Sequence, residues 1–195
     1  MFPTPAADMG FRMFEFCSKL THVPGMTGYG TAPPAGIMNS MQQTFKSCSV
    51  FDGDVSSWDV STATSFLGTF DSCLLFNQDI DTWNVGNGLD FSHMFSEASL
   101  FDQPLNSWNV TKGKTFAYMF YKAQAFNKPL NNWTLTALNA DPVDKAGLDQ
   151  MFRLAGSFNQ DLSGWCVSAF AGVPSLFASD SALNAGNYPD WGTCP

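Results

Sequence analysis

The amino-acid sequence predicts an α/β repeat solenoid, in which short right-handed coils of chain stack on one another. Aromatic residues recur in several columns at one common interval. Within each copy, one segment alternates like a strand and another has the apolar spacing of a helix. A fixed period of 20 to 50 residues is typical of chains whose copies bury their apolar edges against each other.

The columns define the copies. Trp58 is followed by four further Trp residues at intervals of 25, 25, 25 and 32. Two Phe columns keep the same intervals. They are Phe45, Phe70, Phe95, Phe120 and Phe152, and Phe51, Phe76, Phe101, Phe126 and Phe158. Because three columns share even the longer last interval, they mark five copies of one unit.

Each Trp lies in a segment with the period of a strand. VSSWDV, IDTWNV, LNSWNV, LNNWTL and LSGWCV all read apolar-x-x-Trp-x-aliphatic. Alternation from Trp to the residue two positions later indicates one buried face. Stacked copies are therefore predicted to form a short parallel β-sheet on one face of the solenoid.

The preceding part of each copy predicts short helical or 3₁₀ turns on the other face. FLGTFDSC, FSHMFSEA and FAYMFYKA place apolar residues at i, i+3 or i+4, and i+7. An Asx column then follows the second Phe, at Asp52, Asn77, Asp102, Asn127 and Asn159. Such side chains can bond the chain two residues on, or the equivalent turn of a stacked copy.

We expect one domain over residues 1–195. Residues 1–40 are predicted to be a degenerate N-terminal repeat and cap, because Phe14 aligns with Phe45. Residues 41–165 hold the five repeats, with an insertion at 134–147, and 166–195 form a C-terminal cap. End units that cover the terminal coils are required of any solenoid.

Composition narrows the class of function. The net charge of −8 disfavours binding to nucleic acid or to an anionic membrane. The sequence has no CxxC pair, only two His and no catalytic motif, so no metal, no cofactor and no enzymatic activity are predicted. No apolar run is long enough to span a bilayer, and no targeting segment is recognisable.

The five cysteines form two groups. Cys17, Cys48 and Cys73 share a column that continues as Ala, which favours packing of small side chains; a disulfide between adjacent coils is the alternative. Cys166 and Cys194 bracket the tail, and a bridge between them would tie the cap to the last repeat. We predict this disulfide, which favours an oxidising compartment.

The candidate binding residues flank the first four Trp residues of the column and are predicted to point away from the core. They are Ser57, Asp59, Thr82, Asn84, Ser107, Asn109, Asn132 and Thr134. Their small hydroxyl and amide groups are predicted to line the concave face, which solenoids commonly use for binding. Simple solvation of the sheet is the alternative.

The stretches FNQDIDTWNV, SHMFSEASLFDQPLNSWNV and AYMFYKAQAFNKPL resemble the BspA-like surface-protein repeat, a relative of the leucine-rich repeat found in mycoplasma, other bacteria and marine microbial eukaryotes. The ending WCVSAF…WGTCP resembles the closing segment of such arrays. The resemblance covers about residues 41–195. It implies a leucine-rich-repeat-type solenoid in a surface or secreted interaction protein, with no known catalytic residues.

These observations together predict a non-enzymatic interaction or adhesion module that is extracellular or at the cell surface. A protein or glycan is the expected partner. A structural subunit of a larger assembly or filament is the second expectation, and a polysaccharide- or ice-binding protein is the third.

Overall fold

The computed structural model describes residues 10–21, 23, 38–138 and 145–195. These residues contain two short 3₁₀ helices, Lys145–Leu148 and Ala185–Asn187. Two isolated parallel bridges join Ser65 to Asp90 and Asp90 to Thr115. The predicted α/β solenoid with a parallel β-sheet and helical turns is therefore wrong: the described chain consists almost entirely of turns and irregular segments.

The copies nevertheless stack in the register that the aromatic columns define. Phe45 and Phe70 lie parallel with ring centroids 5.5 Å apart, and Phe70 and Phe95 are 5.8 Å apart. A third Phe column, at Phe66, Phe91 and Phe116, stacks in the same way. All these rings are fully buried. Each buried Phe contributes roughly 1.5–3 kcal/mol, so the columns provide the main stabilisation of the fold.

The segment predicted to be helical is a run of tight turns whose amides alternate between two kinds of acceptor. The amides of Thr69 and Asp71 each donate to a carbonyl three residues earlier, at 3.2 Å. The amides of Gly68, Phe70 and Ser72 donate instead to the next copy. A helix would use every one of these amides within its own segment. The backbone is left-handed at Gly68 and Ser72, with φ of 58° and 61°.

The bonds between copies form continuous columns of aligned peptide groups. The Gln43 amide donates to the Leu67 carbonyl at 2.7 Å. The Gly68 amide, on the same peptide plane as that carbonyl, donates to Ser92 at 2.8 Å. In a trans peptide the N–H and C=O point in opposite directions, so each plane accepts from the copy before and donates to the copy after. Parallel columns run through Phe70 and through Ser72.

The Trp segments form no strands because tight turns interrupt them. The Trp83 amide donates to Ile80 at 3.0 Å, and the Gly88 amide donates to Val85 at 2.8 Å. No backbone hydrogen bond joins the described segments 55–61, 80–86, 105–111 and 130–136 to one another. Side chains make the connection instead: the Trp83 indole N–H donates to the Val55 carbonyl at 3.0 Å. The later Trp residues repeat this bond at Trp108, Trp133 and Trp165.

The Asx column joins the copies on a further side of the stack. Asp52 accepts from the Asn77 amide at 2.9 Å, and Asn77 accepts from the Asp102 amide at 2.9 Å. The series runs without a break to Asn184, whose amide donates to Asn159 at 2.9 Å. Of the two bonding modes that the sequence allows for this column, the structure uses the one between copies.

The stack extends beyond the five regular copies at both ends. Phe14 stacks on Phe45 with ring centroids 5.3 Å apart. At the other end the Phe152 amide donates to Phe177 at 2.8 Å, but the Phe177 ring stands at 89° to Phe152. Much of the predicted N-terminal cap (1–9, 22 and 24–37) and residues 139–144 of the predicted insertion lie outside the described residues.

The predicted disulfide between Cys166 and Cys194 is confirmed. Cys17, Cys48 and Cys73 are free thiols, so the described chain does not use the alternative bridge between coils. Cys48 and Cys73 are fully buried, and each donates its thiol proton to a carbonyl at 2.9 Å, that of Phe14 and that of Phe45 respectively.

Candidate binding surface

The predicted binding residues lie on the surface beside the Trp column, which we call the Trp-side surface. Asp59 is half-buried and the other seven are exposed. They point outward because Trp and the aliphatic residue two positions later are buried, so the residues between them must face solvent. Among the described residues no sheet supports them, so the predicted concave face of a β-sheet is wrong, although the alternation of buried and exposed residues is present.

Short hydrogen bonds hold several of these side chains in one orientation. Asn84 accepts from the Gly86 amide at 3.2 Å through its Oδ1. Asn109 accepts from both the amide and the hydroxyl of Thr111, at 3.2 and 2.8 Å. Asp59 accepts from the Ser61 amide at 3.0 Å. With Oδ1 engaged in the turn, the Nδ2 groups of Asn84 and Asn109 are presented to solvent as donors.

Neighbouring copies engage part of the remaining groups. The Ser107 hydroxyl donates to the Asp81 carbonyl at 3.0 Å, and the Thr82 hydroxyl approaches the Ser56 carbonyl at 3.5 Å. The backbone amide of Asn132 donates to Oδ1 of Asn106 at 2.9 Å. The side chain of Asn132 makes no hydrogen bond to a described residue. The Trp-side surface therefore carries two kinds of polar group. The side-chain amides of Asn84 and Asn109 are held in one orientation, and the hydroxyl groups in part already interact with the neighbouring copy.

Two shallow depressions lie on the described part of this surface. One of about 380 Å³ is lined by Asp54, Ser56, Gln78, Asp79 and Thr82. Hydrogen bonds from the Ser56 hydroxyl and amide lower the pKa of Asp54. The other, of about 270 Å³, lies beside the disulfide and is lined by Leu135, Thr136, Leu138, Cys166, Val167, Ser168 and Ala169. Neither resembles the enclosed, mostly apolar pocket of a small-molecule site.

His93 lies in the turn segment, away from the Trp-side surface. Its ring stacks on Tyr118 with centroids 4.6 Å apart, and burial lowers its pKa. No described side chain hydrogen-bonds the imidazole. Among the described residues, no three His, Cys, Asp or Glu side chains come together as metal ligands do. The absence of enzymatic activity and of cofactors stays a prediction.

Sequence reasoning missed the left-handed positions of the turn segment, which orient the columns of peptides. Gln43, His93 and Tyr118 all have positive φ, between 55° and 58°. Only Gly68, which holds the same place in its copy, gave a signal, because glycine favours this conformation. In the other copies the equivalent residues include Gln43, His93 and Tyr118, and such side chains do not by themselves indicate a left-handed backbone.

Comparison with known proteins identifies the family but no function. The family model described as "Mycoplasma protein of unknown function, DUF285" matches residues 39–143 and 139–193. No curated protein and no solved structure matches the chain. None of the described helices has the length and apolar character needed to cross a membrane. The chain belongs to the DUF285 family, a repeat family of the mycoplasma type.

Proposed function

We propose that this chain is a non-enzymatic recognition or adhesion module of the cell surface or extracellular space, and that it binds a protein or glycan through the Trp-side surface. The observation that carries the proposal is the repeated presentation of oriented amides, at Asn84 and Asn109, above a fully packed aromatic stack. A side chain that is already ordered loses little entropy on binding, so it can contribute to affinity.

Two further observations support the proposal. The disulfide between Cys166 and Cys194 is typical of chains that work in an oxidising compartment. The amide and hydroxyl groups of the Trp-side surface suit the polar contacts by which glycans and protein loops are recognised. We also propose that the DUF285 repeats of this chain are of the BspA-like surface-protein kind.

The proposal is tested by placing charge on the Trp-side surface. In the variant Asn84→Arg, Asn109→Arg, Thr134→Arg, three bulky cations replace small polar groups. We expect capture of partners from the native extract, or binding to a glycan array, to fall at least about 10-fold. Partner identity comes from mass spectrometry of the wild-type capture.

The matched control is Leu75→Arg, Leu100→Arg, which adds charge at another exposed position of the repeat. We expect it to bind like the wild type. Thermal unfolding of both variants checks that the fold is intact. Equal binding by the triple variant and the wild type would contradict the proposal and move the site away from this surface.

A further inference from the structure

At the C-terminal side of the stack, the columns of aligned peptides end with backbone amides for which the described part of the chain offers no acceptor. The Gln150, Phe152 and Leu154 amides donate to the last coil, at 2.8–2.9 Å. The carbonyls that accept these bonds belong to residues 175, 177 and 179. The N–H groups of the same three peptide groups, those of Leu176, Ala178 and Asp180, point in the opposite direction. No described residue accepts from these three amides.

The N-terminal side of the stack ends with the matching acceptors. The Arg12, Phe14 and Phe16 amides donate to the first regular copy, at 2.7–2.9 Å. The carbonyls on those same peptide planes, those of residues 11, 13 and 15, point the opposite way, and no described residue donates to them. Three donors at one end and three acceptors at the other therefore share one spacing, that of the columns.

Exposed apolar side chains accompany both sets of unused groups. Leu176 is 46% exposed, and Val173 beside it is 57% exposed. At the other end Phe11 is 44% and Phe16 is 67% exposed. Large apolar side chains at an unpaired backbone edge are the features by which edges recruit a further chain.

The two ends also differ in charge. The described first coil, residues 10–21, carries two cations and one anion: Arg12, Lys19 and Glu15. The last coil, residues 174–195, carries the two anions Asp180 and Asp190 and no cation. The charged side chains of the described first coil thus sum to +1 and those of the last coil to −2, so the two coils attract each other electrostatically.

We propose that copies of this chain stack head to tail, with the Leu176, Ala178 and Asp180 amides of one copy donating to the carbonyls of Phe11, Met13 and Glu15 of the next. The occupant of each end is a second copy of the chain. Such a contact joins two different surfaces, so it does not close at a dimer and continues into a filament. This inference is independent of the Trp-side surface, which stays free along the stack.

Sedimentation velocity of the full chain from about 1 to 500 µM tests the proposal. We expect the weight-average mass of the wild type to rise beyond that of a dimer. Leu176→Lys and Phe16→Asp each add, at one end only, a charge of the sign that the opposing end already carries. Lys122 and Asp180 show that both residue types adopt the left-handed backbone found at these positions, where φ is 49° and 62°. Each variant alone should be monomeric.

Mixing the two variants gives the decisive result. Each variant retains one intact end, so a head-to-tail contact predicts a one-to-one heterodimer and nothing larger. Leu100→Asp, on an exposed Leu away from both ends, should assemble like the wild type. If either charged variant unfolds, Leu176→Asn and Phe16→Asn replace the pair. Three outcomes would each overturn the proposal. The wild type stays monomeric, its assembly stops at the dimer, or the mixture of the two variants does not associate.

Discussion

Gly113 lies where any side chain would collide with the core. A Cβ at this position would lie 2.4 Å from Cζ of Phe116 and 3.1 Å from the Val110 carbonyl oxygen. We expect Gly113→Ala to lower the free energy of unfolding by about 1–3 kcal/mol, since the Phe116 ring must leave its stacked position. Urea denaturation measures this loss. Gly164→Ala is the control, because nothing lies within 4 Å of its Cβ. Equal losses in both variants would contradict the explanation.

The buried thiols predict how stability depends on pH. Burial raises the pKa of Cys48 to about 11, and it also raises the pKa of Cys73. In the unfolded chain a thiol ionises near 8.5, so above that pH the unfolded state binds fewer protons than the folded state. Stability is therefore fully present below about pH 8.5 and falls as pH rises toward 11, by up to about 1.4 kcal/mol per pH unit for each thiol.

Urea unfolding at pH 8 and pH 10 measures this alkaline loss. The control is Cys48→Ala, Cys73→Ala, since the same column holds Ala98 and Ala123 in later copies. This variant should lose less stability between the two pH values than the wild type does. An identical loss in both proteins would mean that other groups cause it.

At the scale of elements, the sequence predicted the period but not the secondary structure. Phe and Trp columns reveal the register because a buried ring must meet the equivalent ring of the next copy, whatever the backbone does between them. The apolar spacing of FSHMFSEA suits a helix and a run of tight turns equally well. The choice between them depends on amides such as that of His93, which donates to Ala117 of the next copy at 2.9 Å. Periodicity within one copy carries no information on such bonds.

The candidate site, too, could be predicted from the sequence only in part. Outward residues such as Asn84 followed from the alternation around Trp83, and the structure exposes Asn84. The absence of a sheet beneath them did not follow, because the Trp indole bonds take the place of backbone bonds. Whether this surface binds a partner stays a prediction.

The Asx column is the element whose contribution can be isolated most directly. Asn77 Oδ1 accepts from the Asp102 amide at 2.9 Å and from the Gln103 side chain at 3.0 Å. We expect Asn77→Ala to cost about 1–2 kcal/mol, because it removes the acceptor of an amide at a packed turn. Asn77→Asp keeps that acceptor and should retain most of the stability. Chemical denaturation compares the variants, and an Asp variant as unstable as the Ala variant would contradict a role for the oxygen.

At the scale of the whole molecule, each copy contacts only its neighbours, so stability is expected to vary along the stack. The central copies have aromatic partners on both sides: Phe95 stacks on Phe70 and on Phe120. The last coil has a partner on one side only, and Phe177 meets Phe152 edge-on. The Cys166–Cys194 bridge, which closes a loop of 28 residues, therefore stabilises a coil that has an aromatic neighbour on one side only.

Reduction of this disulfide should loosen one end of the molecule before the rest. We expect the double variant Cys166→Ser, Cys194→Ser to lower the free energy of unfolding by about 3 kcal/mol, which is the contribution expected of a disulfide that closes a loop of this length. Hydrogen exchange followed by mass spectrometry should show faster exchange in 166–195, while 66–133 keeps its protection, because opening of the last coil leaves the central aromatic columns in contact. The control is the wild type in reducing buffer, which should exchange like the double variant. Uniform acceleration along the chain would show instead that the stack unfolds as one cooperative unit.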